Sequence, residues 1–352
     1  MVWHFVQSEA AEHRVTQRSS QKPLPVRKRL LFRKLDSGCA GKIDTLQGRR
    51  YTFVNLMSEK LEWAEVPASV LNIPATLDCG QNFRWVYGHD GDRLGAIGNV
   101  GVRLRADDGG FWWQTYPENG RWDLIHQYFA LDVDLTSLYD SWMAAEPRIA
   151  ASIERNRGLR ILRQGADEAF FSFLCASCNT VVKITRSVQA LVQEYGEPIA
   201  EIDGRMLYRF PNATALARAD EAMLRGSLWG YRAPRVIEAA SMIASRGASW
   251  LDSLRALPYE EAHAELVAIP GIGAKIADCI CLFGLWHDEA CPIDTHVRQI
   301  AVRMFKPELK HKSLTPAAYN TLAGAFRNRF GKSTGWAQQY MFYDELQNIE
   351  DI

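Results

Sequence analysis

Lys275 follows the turn Pro270-Gly-Ile-Gly273 after one alanine and opens an otherwise almost wholly apolar run, in the stretch AIPGIGAKIADCICLFG (residues 268–284). A cation at a helix N-terminus opposes the macrodipole. That arrangement should hold the amine's pKa down, as a nucleophilic amine requires. Cys279 lies one turn on, at i+4, on the same helix face. Nineteen residues after the lysine, in CPIDTHVRQIAVRMF, Pro292 precedes an extended Ile293, and Asp294 stands where a helix N-cap belongs. A carboxylate brought beside Lys275 would stabilise positive charge on a reacting carbon or manage protons. Read one at a time, a surface lysine and a plain helix cap remain open.

The elements that must position this pair are helical. AHAELVAI, PGIG and AKIADCICLF read as a helix, a tight glycine turn and a second helix. Gly271 and Gly273 permit positive φ and close approach of another backbone. The amides of such a turn and of the next helix's first turn form an anion site suited to a phosphate. Main-chain contact of this kind grips DNA without reading its sequence. A simple corner between two helices is the competing reading of the turn alone.

The chain ahead of that hairpin reads differently. From Asn82 to Tyr116, NFRWVY, VGVRLRA and FWWQTY carry β signals, separated by the turn clusters GHDGD and ADDGG. Beyond Trp122 the period becomes helical and stays so to the end. The expected class is α+β: a small antiparallel-sheet domain over 57–160, then an all-helical domain over 161–350. Residues 1–56 hold 11 Lys and Arg against 4 Asp and Glu, a net +7 within a chain whose formal charge is zero. They read as a basic tail or a mis-assigned start, with a nucleic-acid-binding or targeting arm as the alternative. The body is therefore net negative, so a nucleic-acid partner must be gripped locally.

At 352 residues, with 47% hydrophobic and 23% charged, the composition is that of a globular protein with room for two packed domains. No apolar run approaches the roughly 20 residues of a membrane span, and the first residues lack a signal-peptide core. Seven cysteines, an odd number and mostly within apolar runs, suit a reducing compartment. Cys175 and Cys178 have zinc-like spacing, but no second ligand pair accompanies them, so no metal is expected.

Together the hairpin, its lysine and the later Pro-x-Asp resemble the helix-hairpin-helix superfamily of DNA glycosylases, and in detail the 8-oxoguanine DNA glycosylase/lyase family. GIGAKIADCICL and PIDTH carry that resemblance, joined by QNFRWV, YFALDVDLTSLYDSW, LWGYRAPRV and GWAQQYMF; it spans about Pro74 to Gln347. It implies that Lys275 attacks C1′ of an extruded nucleotide, expels the oxidised base and leaves a Schiff base open to β-elimination, with Asp294 assisting. It also implies that the carbonyl of Gly80 accepts the N7–H that separates 8-oxoguanine from guanine, and that Cys279, Pro292, Gln338 and Phe342 enclose the base. Tyr231 and Arg232 would wedge into the duplex and hold the orphaned partner base; His296 would contact a phosphate or the network around it. The partner is double-stranded DNA with oxidised guanine, bound by a monomer inside the cell (cytoplasm or nucleoid in a bacterium, nucleus in a eukaryote). No cofactor is implied, because no cysteine follows Cys291 and the iron–sulfur cluster of endonuclease-III-type relatives would lack ligands. A non-catalytic DNA-binding hairpin protein and a 3-methyladenine-type glycosylase working without a lysine are the other readings; Lys275 speaks against both.

One segment departs from the family pattern. After FSFLCAS the family has a run of asparagines and then an arginine, whereas this chain has Cys178, Asn179 and Thr180, then Lys183. Cys178 lacks the amide's donor and acceptor, and lysine lacks arginine's planar fork. The expectation is a shallower preference for cytosine opposite the lesion.

Overall fold

The computed structural model describes residues 61–176 and 180–350, together with the strands at 43–46 and 49–52. Its contacts divide the chain into residues 1–55 and 56–352. In the first unit, β1 (Ile43–Leu46) pairs antiparallel with β2 (Arg49–Thr52). The basic cluster Val26 to Lys34 lies outside the described residues.

The second unit begins with a five-stranded antiparallel sheet. Its strands are β3 (Glu62–Ala64), β4 (Val86–Tyr87), β5 (Arg93–Ile97), β6 (Val100–Asp107) and β7 (Gly110–Tyr116), in the order β3-β7-β6-β5-β4. Leu104 of β6 faces Trp113 of β7 in the register, and both are buried with Val102, Phe111 and Trp85 in one core. Aromatic and β-branched pairs of this kind stabilise neighbouring strands.

A second, larger core fills the helical part and reaches back to Ala75, Cys79 and Phe83, which follow β3 in sequence. The segment that joins the two is pinned by polar groups. The buried amide of Gln81 donates to the carbonyls of Thr76 (2.8 Å) and Arg160 (2.7 Å) and accepts from the Leu162 amide (2.9 Å). Asn82 donates to Gln164 and Glu168, and Arg84 forms a buried ion pair with Glu168 at 2.8 Å. Gln81, Asn82 and Arg84 thus find partners as they enter this core, which offsets the cost of burying them.

The helical pattern beyond Trp122 holds, with one interruption. β8 (Pro198–Ile202) and β9 (Arg205–Tyr208) form an antiparallel hairpin turned by Asp203 and Gly204 at φ 52° and 75°. An Asp-Gly pair with both φ positive is the favoured two-residue hairpin turn, so IDGR carried the signal that the helical reading of this region passed over. The long pattern beginning at Trp122 also breaks into two helices, Trp122–Tyr128 and Leu135–Ala145, because the Asp134 side chain caps the second.

The hairpin of helices forms as expected: Tyr259–Val267, a turn, and Ala274–Phe283. Ile269 and Ile272 bury their side chains on either side of the exposed Pro270-Gly271, and Gly271 takes φ +89°. A Cβ there would be strained and would meet Arg235 at 3.4 Å. Inside the second helix sits a carboxylate that the apolar pattern conceals. Asp278, 1% exposed, accepts from the hydroxyl of Tyr259 at 2.5 Å and from that of Tyr319. Burial and the neighbouring carboxylate push both phenols well above their ordinary pKa, so they remain donors. The Tyr319 hydroxyl in turn accepts from the Ile293 amide at 3.2 Å. Asp278→Leu leaves these hydroxyls without their acceptor, and we expect a loss of about 2–4 kcal/mol of stability. Thermal unfolding checks this; an unchanged midpoint would show that the network contributes nothing.

Candidate active site

Gly273 precedes the helix Ala274–Phe283 with an extended backbone and no side-chain cap, so the first-turn amides stay open beside the lysine. Lys275 is half-buried on that first turn, its Nζ 6.0 Å from the centre of the Phe173 ring. One turn on, the Cys279 thiol is pushed up to about 11, because burial outweighs the pull of the Lys275 ammonium. It is therefore a neutral packing group and not a competing nucleophile. Asp294 caps the helix Thr295–Met304, its Oδ1 accepting from the Val297 amide at 2.8 Å. One carboxylate oxygen is thereby held and the side chain's direction fixed.

These groups line a single cavity of about 350 Å³, counted with its open mouth. Its walls are Gly80, Phe173, Lys275, Cys279, Phe283, Pro292, Asp294, Val297, Gln338, Gln339 and Phe342. The lysine and aspartate are thus joined by all five residues expected to enclose a base, drawn from four separate stretches of chain. Gln338 is 3% exposed, and among the described residues no donor reaches its Oε1. A buried amide oxygen left unpaired beside a cavity is an acceptor waiting for a ligand. Gly80 adopts φ +77°, and among the described residues no protein donor reaches its carbonyl. Phe342, half-buried, offers an aromatic face at the same wall.

The model of the 8-oxoguanine DNA glycosylase N-terminal domain matches residues 64–170. N-glycosylase/DNA lyase OGG1 of Arabidopsis thaliana is 34% identical over 285 residues, covering 78% of this chain and 78% of its own. The chain belongs to the 8-oxoguanine DNA glycosylase family. The N-glycosylase/DNA lyase of Saccharomyces cerevisiae is 30% identical over 330 residues, covering 82% of this chain and 87% of its own. Among solved structures, Clostridium acetobutylicum 8-oxoguanine glycosylase/lyase in complex with dsDNA superposes with a TM-score of 0.72 at 24% identity, covering 83% of this chain and 99% of its own. That likeness carries the fold of the family.

None of the described residues assigned to the duplex lines the cavity. Tyr231 is 60% exposed, and the buried Arg232 guanidinium stacks 4.4 Å from its ring centre. His296, half-buried, meets Phe342 edge-on at 6.2 Å, and no partner reaches its Nδ1 among the described residues. Gly271 and Gly273 are exposed at the hairpin tip. Lys183 is exposed on the first turn of the helix Val181–Tyr195, which Thr180 caps. Cys178 and Asn179 lie outside the described residues.

Four wall residues escaped the sequence reading: Phe173, Phe283, Val297 and Gln339. Phe283 and Val297 fall at i+4 and i+3 from Cys279 and Asp294, so helix spacing held a signal for both. Phe173 and Gln339 carried none, since each reads as an ordinary core or surface position of its helix.

Proposed function

We propose that this chain is a bifunctional base-excision-repair enzyme that extrudes 8-oxoguanine from duplex DNA, removes it and nicks the strand. The observation that carries the reading is the convergence of an amine, a carboxylate, an aromatic ring and an unpaired amide acceptor on one cavity. The Lys275 amine attacks C1′ of the extruded nucleotide as the glycosidic bond breaks and its electron pair leaves with the base. Asp294 stabilises the positive charge that develops on the sugar. Ring opening then yields a protonated Schiff base between Lys275 and C1′. Loss of a C2′ proton expels the 3′ phosphate and nicks the strand. The residues 161–350 supply this chemistry, and 57–160 contribute Gly80 to the base pocket.

Extrusion needs a filler for the vacated stack, and the exposed Tyr231 backed by Arg232 is placed to supply it. The hairpin tip at Gly271 to Gly273 takes the phosphate backbone through main-chain amides. A protein that only binds DNA needs no lysine inside a cavity, and a lysine-free glycosylase needs none beside the aspartate. The enzyme works inside the cell, with DNA. Borohydride reduction in the presence of an 8-oxoguanine duplex tests the reading: a covalent protein–DNA adduct should form, and a guanine duplex should give none.

The opposite base offers a second check. With Lys183 exposed where the family has an arginine, excision of 8-oxoguanine opposite cytosine should exceed that opposite adenine by only several-fold. Each good base contact contributes ~1–3 kcal/mol of discrimination. Single-turnover rates against all four partner bases measure it. A steep cytosine preference that survives Cys178→Ala and Lys183→Ala would refute it.

A further inference from the structure

Gly80 lies between two peptides that are each held from outside. The Gln81 carbonyl accepts from the Gln164 side chain at 2.6 Å, and the Gln81 amide is fixed by the bonds described above. The Cys79 carbonyl accepts from Nε2 of Gln339 at 3.0 Å, across 260 residues of sequence. Gln339 is 3% exposed, lines the cavity and follows Gln338 directly. A glycine at φ +77° crosses to other backbone conformations at little cost, since no Cβ resists. Its carbonyl therefore has a fixed direction only while both neighbouring peptides are held.

We propose that Gln339 is a positioning residue for base selection: by holding the Cys79 carbonyl it fixes the Gly80 carbonyl as an acceptor for the ring N–H that oxidation adds to guanine. The inference rests on the proposed function and adds to it the residue by which the last helix sets the geometry of the discriminating peptide. Oxidised guanine presents a donor at N7, where guanine presents a lone pair. A carbonyl held in place attracts the first and repels the second, whereas a mobile carbonyl turns away from the repulsion and loses both effects. Gln339 itself need not touch the base.

The test uses Gln339→Met, which keeps the side chain's length and removes its donor. Duplex affinities are measured in a Lys275→Gln background, so that no base is lost during binding. The ratio of affinities for 8-oxoguanine and guanine duplexes should fall about tenfold, the weight of one well-placed hydrogen bond. The loss should come mainly from weaker lesion binding. Nicking of a preformed abasic site by Gln339→Met with Lys275 intact should persist, since no base enters the pocket. A role in packing alone would instead lower nicking and both affinities together. Gln339→Leu provides a second donor-free variant should the first fold poorly. A ratio within about twofold of the parent in either folded variant overturns the inference. If the parent itself shows no preference for 8-oxoguanine, the proposed function falls first.

Discussion

Lys275→Gln should abolish base excision and borohydride trapping while leaving affinity for a lesion duplex within a few-fold of the parent. The loss should exceed about a thousandfold, because removing a covalent nucleophile removes the path and not one contact along it. Glutamine is close to lysine in length and stays on the first turn of the helix Ala274–Phe283, whose other groups are packed. Ile276, Ala277 and Cys279 through Phe283 are all buried. The cavity's apolar wall is thus retained, as are the Gln338 and Gly80 acceptors. The change subtracts the lysine's charge from the cavity and its attraction on the Cys279 sulfur. Neither holds the fold, so the melting temperature should move little. Excision above a trace, or a trapped adduct, would show that another amine does the work.

Much of the cavity's lining could be named from the sequence, part of it from local pattern and part from the family resemblance. Lys275, Cys279 and Asp294 belong to short local patterns, a glycine turn and a helix cap, whose geometry follows from a few neighbouring residues. Gln338 and Phe342 share a helix face by spacing, but spacing alone reads Phe342 as core, and the match of GWAQQYMF to the family is what assigns both to the pocket. What stayed hidden depends on contacts far apart in sequence. Asp278 looks like an interruption of an apolar helix, and only the fold supplies Tyr259 and Tyr319 to satisfy it. Gln339 has no local partner, and its bond to Cys79 joins positions 260 residues apart. The hairpin β8–β9 was missed although its Asp-Gly turn was in view, because a helical period on both sides outweighed a signal two residues long. The same separation explains the sheet's junction with the helices. Gln81, Asn82 and Arg84 carry no readable period, yet they draw on Arg160, Leu162 and Glu168.

Phe342→Ala and Gln338→Ala should separate the two activities of this enzyme. Both residues line the cavity one helical turn apart. An aromatic face against an extruded base contributes ~1–3 kcal/mol. Pairing a buried amide oxygen that is otherwise unpaired contributes on the order of 1 kcal/mol more. Excision of 8-oxoguanine should therefore fall about 10- to 100-fold in Phe342→Ala, and somewhat less in Gln338→Ala. Cleavage of a preformed abasic site should stay near the parent rate, since on the proposed mechanism that step needs Lys275 at C1′ and no base in the pocket. The contrast matters because Phe342 also packs against the helical core and meets His296 edge-on. A packing defect would disturb the Lys275 helix and slow both reactions together. Single-turnover rates on matched duplexes, one carrying 8-oxoguanine and one an abasic site, decide between these outcomes. Equal loss on the two substrates would remove Phe342 from the base pocket and return it to the core.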